Sequence, residues 1–171
     1  MEVNESPSRS IPKEHIKELV RLSLDVISVA QEKLGDTEFT PGGSADQDLE
    51  RELFLRSGSR PNRIYRIDDA IGNRELNWGR IHINGFEFGE DGRVTRFTPL
   101  SLPRQTKDNK TWHLIRRSGV TNIDTTKSLI EDIQTGTEVS EDEWDKAVEN
   151  WRAEQKAEAD VYDKEHPDID L

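Results

Sequence analysis

The sequence predicts an α+β fold in which an antiparallel sheet of about four strands packs against a long N-terminal helix, with two C-terminal helices. Three observations predict it. Residues 78–97 alternate β-branched and aromatic side chains with polar ones around two turn dipeptides. Residues 12–34 repeat apolar side chains at helical spacing. Ser140 with Glu143 three positions later forms a capping box, which is typical of a helix start.

Composition limits the size of the core and the kinds of chemistry. The chain has 171 residues, of which 32% are hydrophobic and 35% charged, so it fits one domain, or one domain with a helical tail. The absence of cysteine excludes disulfides, thiol catalysis and thiolate metal sites. No apolar run approaches the length of a membrane span, and residues 1–10 do not resemble a signal peptide, so we expect a cytoplasmic protein.

The predicted organisation has three parts. Residues 1–10 are expected to be disordered, residues 11–136 to form the α+β domain, and residues 137–171 to form an acidic C-terminal helix and tail. The charged residues are also unevenly distributed along the chain. Residues 51–117 carry 14 Lys/Arg and 8 Asp/Glu, whereas residues 118–171 carry 5 and 16. A basic, β-rich centre is therefore flanked by acidic helical ends.

The N-terminal half predicts two helices and one strand. A helix begins at Pro12 and runs to Leu34, and Gly35 ends it. Residues 36–46 contain Pro-Gly-Gly and predict a linker. The apolar side chains of Leu49, Leu53 and Phe54 indicate a short helix over 46–56. A strand follows over 63–67, and a loop over 68–77 leads to the central hairpin.

The hairpin register depends on its turn. If Asp91 and Gly92 fill a two-residue type I′ turn, each acidic residue opposes an arginine and two aromatic rings pair. The pairs in that register are Glu90 with Arg93, Phe88 with Thr95, Glu87 with Arg96, and Phe86 with Phe97. A four-residue loop over 89–92 would instead oppose Phe88 to Arg93 and Phe86 to Thr95. We predict the first register.

Five apolar residues between positions 78 and 88 switch from even to odd and back to even sequence numbers. Because side chains alternate between the two faces of a strand, a regular strand cannot place all five on one face of the sheet. The odd-numbered members are Ile81 and Ile83, and the even-numbered ones are Trp78, Phe86 and Phe88. A bulge at Asn84-Gly85 that changes the face is the favoured explanation, and a turn between two strands is the alternative.

The C-terminal half predicts one more strand and two helices. Pro99 and Pro103 argue against a central strand over 98–104, and 111–117 reads as the next strand. Asp124 is the predicted cap of a helix that ends near residue 134. The helix over 140–163 has apolar residues on one face. Aromatic residues that this pattern makes candidates for the core or an interface are Trp78, Phe86, Phe88, Phe97, Trp112, Trp144 and Trp151.

No catalytic or metal-binding pattern is present in the sequence. His82 and His113 lie in predicted strands without the neighbouring hydroxyl groups that a two-histidine phosphoesterase uses. There is no His-Glu-x-x-His spacing and no EF-hand loop. The glycines at 85, 89 and 92 punctuate a hairpin instead of opening a helix, so they do not form a phosphate-binding loop. We therefore predict no cofactor, no metal and no catalytic residue.

Three functions stay open at this stage. The leading prediction is a non-enzymatic protein-interaction protein, such as an inhibitor, immunity factor, adaptor or assembly component. It would bind another protein through its acidic helix, at Glu141, Asp145, Glu149 and Trp151. The second is nucleic-acid binding through the arginine-rich sheet, at Arg93, Arg96, Trp112, Arg116 and Arg117. The third is a small-molecule enzyme that uses His82, His113 or a carboxylate.

Overall fold

The computed structural model describes residues 11–42, 49–72, 79–103, 120 and 122–166, with the backbone alone at 97–99. The predicted α+β class is confirmed: an antiparallel sheet lies between helices on its two faces. In chain order the elements are α1 (Lys13–Leu34), β1 (Thr40–Pro41), β2 (Leu49–Arg56), β3 (Arg63–Ile71), β4 (Gly79–Phe88), β5 (Val94–Pro103), α2 (Ile123–Gln134), β6 (Thr137–Glu138) and α3 (Glu141–Glu165).

The sheet is larger than the four strands predicted from the sequence. In the described ranges it has six strands, with β1 to β5 in chain order and β6 paired to β2. The two-residue strands β1 and β6 pair with opposite ends of β2. The prediction of a helix over 46–56 is therefore wrong from residue 49 onward, because that segment is strand β2. The predicted strand over 111–117 lies outside the described residues.

Both faces of the sheet are covered, and this is why the apolar pattern of β2 predicts a helix instead of a strand. Leu53 and Leu55 pack on one face with α1 and α2, whereas Phe54 packs on the other face with α3. Three consecutive buried residues suit a strand covered on two sides. In the sequence alone, such a short apolar run cannot be distinguished from a buried helix segment.

The hairpin turn differs from both predicted forms. Gly89 donates its N–H to the Arg93 carbonyl at 2.7 Å, and Gly92 donates to the Gly89 carbonyl at 3.0 Å. Gly92 has a φ of +83°, so the loop consists of residues 90–92 with a left-handed glycine at its third position. The predicted register is wrong by one residue. The observed pairs are Phe88 with Val94, Glu87 with Thr95, Phe86 with Arg96 and Gly85 with Phe97.

A register shift does occur beside Asn84-Gly85, as the bulge prediction required, but the extra residue lies in β5. Ile83 pairs with Leu100 and Gly85 with Phe97, so one residue of β4 opposes two of β5. Pairing between β4 and β3 continues without interruption. Ile83 and Phe86 therefore keep their ordinary alternation, and each is buried because helices cover both faces.

The helix boundaries are close to those predicted, whereas two strands run past their predicted ends. Helix α1 spans 22 residues, about 33 Å, and Gly35 follows it with a φ of +49°. Helix α3 begins after Ser140, whose side chain accepts from the Glu143 N–H, as the capping box predicts. The predicted cap of α2 is wrong, since Asn122, and not Asp124, accepts from the Thr125 N–H. The loop predicted over 68–77 is wrong as far as Ile71, because β3 continues to that residue. The strand predicted to end at residue 97 is also too short, because β5 continues past Pro99 to Pro103 and pairs there with β4.

Candidate functional site

The first half of α3 belongs to the sheet's second core. Trp144 and Ala147 are buried, and Val148 and Trp151 pack against the same cluster. The Trp144 ring lies 5.0 Å from that of Phe86, centroid to centroid, and the Trp151 ring lies 5.9 Å from it. The apolar face read from the sequence is thus occupied by the protein's own sheet.

The predicted partner-binding residues of α3 do not form one surface. Glu141, Asp145 and Glu149 are exposed, and their spacing of four puts them along one line of the helix. Trp151 is half-buried on the side that faces the sheet, with the Arg96 guanidinium 5.5 Å from its ring centre. The three carboxylates are exposed to solvent, whereas Trp151 packs within the fold.

The hairpin arginines proposed for nucleic acid also contact their own protein. Arg93 reaches Glu158 at 3.1 Å and Glu154 at 3.7 Å. Arg96 donates to the Asn84 side chain at 3.2 Å and lies over Trp151. The other proposed residues, Trp112, Arg116 and Arg117, lie outside the described residues.

Glu154 links α3 to strand β5 of the hairpin through a hydrogen bond. Both of its carboxylate oxygens accept from the Val94 N–H, at 2.9 and 3.1 Å, on a buried residue of β5. An unpaired strand N–H is costly when water is excluded, so this bond stabilises the helix position. A cleft of about 660 Å³ lies beside this contact, lined by residues of the hairpin and of α3 that include Arg93, Arg96 and Trp151.

The second half of α3 carries an exposed apolar pair that is not among the site residues predicted from the sequence. Val161 is 55% exposed and Tyr162 is 52% exposed. With Ala157, Glu158 and Glu165 they line an open groove of about 420 Å³. Tyr162 follows Trp144 and Trp151 at helical spacing, so it continues the packed face beyond the sheet. That spacing was the available signal, and it was obscured by the surrounding Ala, Glu and Lys.

A buried polar cluster joins α2 to the sheet. The Asp132 carboxylate is fully buried and accepts from Tyr65 at 2.5 Å, Ser57 at 2.7 Å, Arg60 at 2.8 Å and Arg63 at 3.1 Å. Burial raises the pKa of the Tyr65 hydroxyl, and its hydrogen bond to Asp132 adds to that shift. Each oxygen of Asp132 already accepts two donors. The cluster therefore fits a structural tie better than a reactive site.

His82 lies on the second face of the sheet and is exposed there. It stands directly opposite Asp68 and borders a cleft of about 360 Å³, together with Arg66 and Arg80. Both guanidinium groups are bonded, that of Arg66 to Glu52 and Asp68 and that of Arg80 to Ser101. His113 lies outside the described residues, so the proposed pairing of the two histidines has no geometry to report.

Within the described ranges, no group of His, Asp or Glu side chains could hold a metal ion. Among the helices described, none is both long and apolar enough to cross a membrane. Comparison with protein-family models, with curated proteins and with solved structures gives no match to this chain. Function must therefore be inferred from the surfaces of the molecule itself.

Proposed function

We propose that this is a non-enzymatic protein-interaction protein whose second half of α3 binds a basic, amphipathic segment of another protein. The observation that carries the proposal is the exposure of Val161 and Tyr162 on one groove between Glu158 and Glu165. Interfaces commonly place an aromatic residue at the centre of such a patch and polar residues at its rim. In this proposal Val161 and Tyr162, and not Trp151, are the apolar residues that contact the partner.

Charge favours a basic partner. Helix α3 contains 10 Asp/Glu and 4 Lys/Arg, and its C-terminal end carries the negative pole of the helix dipole near Glu165. Glu141, Asp145 and Glu149 extend the negative potential along the solvent side, which would steer a cationic segment toward the helix. An antiparallel second copy is less suited, because it would bring Glu158 and Glu165 of both chains together.

A designed peptide tests the proposal without a known partner. The probe is a fluorescein-labelled, 18-residue helix with leucines on one face and lysines beside them, titrated with the full chain by anisotropy. We expect saturable binding that weakens with salt. The Tyr162→Ala variant should bind about ten-fold more weakly or worse, since truncating a central aromatic removes its packing. The matched control is Leu24→Ala, which removes an exposed residue of α1 and should leave binding unchanged.

Two outcomes would overturn the proposal: no binding by the wild type at low salt, or equal binding by Tyr162→Ala and the wild type. A peptide of the same composition with leucines and lysines scrambled around the helix separates groove binding from simple charge attraction.

Labelled single- and double-stranded oligonucleotides are titrated in parallel. Tight oligonucleotide binding that is lost on Arg93→Ala and Arg96→Ala would instead support the nucleic-acid alternative.

A further inference from the structure

The groove shares one carboxylate with the hairpin. Glu158 lines the groove beside Val161 and Tyr162, and it also accepts from Arg93 at 3.1 Å. The side chain of Arg93 is 62% exposed and that of Glu158 is 57% exposed. A basic residue of a ligand that approaches Tyr162 therefore meets a carboxylate that the protein's own arginine already occupies.

The two glutamates that face Arg93 differ in how firmly they are held. Glu154 is bound to the Val94 backbone through both oxygens, so moving it would leave a buried N–H without its acceptor. The bond that places Glu158 at the hairpin is its exposed ion pair with Arg93. Exposed pairs shift an equilibrium by about five-fold or less, so Glu158 is the carboxylate that a ligand can take over at small cost.

We infer that Arg93 is an intramolecular competitor for the peptide-binding groove, and that a ligand cation replaces it on Glu158 while Glu154 stays on the hairpin. This inference rests on the proposed function. It assigns Arg93 a role in specificity: a ligand with a guanidinium or ammonium group near its apolar anchor displaces Arg93, whereas an apolar ligand without one does not. Glu158 is accordingly the carboxylate that recognises the partner's cation.

Affinity measurements with the same leucine–lysine peptide test the exchange. Arg93→Gln should raise affinity about two- to five-fold, because Glu158 is released for the ligand. Glu158→Gln should lower affinity, and in that background Arg93→Gln should lose its specific gain. We expect the change to leave the hairpin turn intact, since Arg93 takes part in it through its backbone carbonyl and N–H. The matched control is Arg152→Gln, which removes the same charge from an exposed position of α3.

Comparison with that control decides the result. A gain for Arg93→Gln that exceeds the gain for Arg152→Gln, and that disappears when Glu158 is Gln, supports the competition. Equal gains for the two arginine variants would show a general charge effect and overturn the inference while leaving the proposed function intact. Absence of peptide binding by the wild type would overturn the proposed function itself.

Discussion

At the scale of single residues, Asp132 combines complete burial with four hydrogen-bond donors, two from β3 and two from the turn between β2 and β3. Asp132→Asn keeps the shape but removes the charge that faces Arg60 and Arg63. We expect it to lower the free energy of unfolding by about 2–4 kcal/mol, less than for a fully enclosed pair because both arginines retain contact with water. Urea denaturation measures the loss, and an unchanged midpoint would contradict the role assigned to Asp132.

The matched control is Glu131→Gln on the same helix. Glu131 also accepts from Arg60, at 2.9 Å, but its side chain is largely exposed. Exposed pairs contribute about 0–1 kcal/mol, so this variant should unfold near the wild-type midpoint. A loss as large as that of Asp132→Asn would mean that burial of the carboxylate is not the reason for the effect.

The same residue gives stability a dependence on acid pH. Burial alone would raise the pKa of Asp132, but hydrogen bonds from Tyr65, Ser57, Arg60 and Arg63 together lower it below its ordinary value. A lowered pKa in the folded state stabilises the protein above the unfolded value of about 3.9. That stabilisation is lost as the pH falls through the lower, folded value. The difference in unfolding free energy between wild type and Asp132→Asn should therefore shrink below about pH 4.

At the scale of elements, the β4–β5 hairpin depends on one backbone conformation. Gly92 has a φ of +83°, and a Cβ added there would meet no atom within 4 Å. Gly92→Ala should thus destabilise the protein through backbone strain alone, by about 1–2 kcal/mol. Gly92→Asn should lose less, since asparagine tolerates the left-handed conformation better. Thermal or urea denaturation of the two variants checks the order, and equal losses would point to a cause other than φ.

Element positions could be predicted where the signal is local. The limits of α1 follow from Pro12, Gly35 and the apolar spacing between them, and Ser140 with Glu143 fixes the start of α3. The register of the hairpin was not recoverable, because Asp-Gly suits both a two-residue turn and the last part of a three-residue loop. Nor was the strand nature of β2, whose coverage on two faces is a tertiary property.

The site was less predictable than the fold. Asp132 looks like any other acidic residue of a polar helix, and its partners at 57–65 are distant in sequence. The acidic character of α3 was apparent, but the sequence alone did not indicate which of its aromatic residues would be covered. Trp151 is half-buried against Phe86, and Tyr162 lies beyond the sheet. Judged by hydrophobicity alone, Trp151 was the stronger candidate for an exposed binding residue, whereas in the structure Tyr162 is the more exposed of the two.

At the scale of the whole molecule, α3 belongs to the fold in its first half and projects from it in its second. Val139 donates its N–H to Phe54, β6 pairs with β2, and Trp144 fills the core between Phe54 and Phe86. From Ala157 to His166 every side chain is exposed. The acidic region therefore combines a part that packs into the fold with a part whose side chains are exposed.

A series of C-terminal deletions tests this division and the predicted boundary at residue 137. Removing 159–171 should change the free energy of unfolding by less than about 0.5 kcal/mol, since its described side chains are exposed. Removing 152–171 also takes away the hydrogen bond that the Val94 N–H donates to Glu154 and both ion pairs of Arg93, so about 1–2 kcal/mol should be lost.

Removing 137–171 is the decisive member of the series. It strips Trp144 and Ala147 from Phe54, Ile64, Phe86 and Val94, and burying a tryptophan in a core is worth about 3–5 kcal/mol by itself. We expect this form to be unfolded or to aggregate through the exposed face, as judged by circular dichroism and sedimentation. If it instead unfolded cooperatively at the full-length midpoint, residues 11–136 would be an independent domain, and α3 would be an appended arm throughout its length.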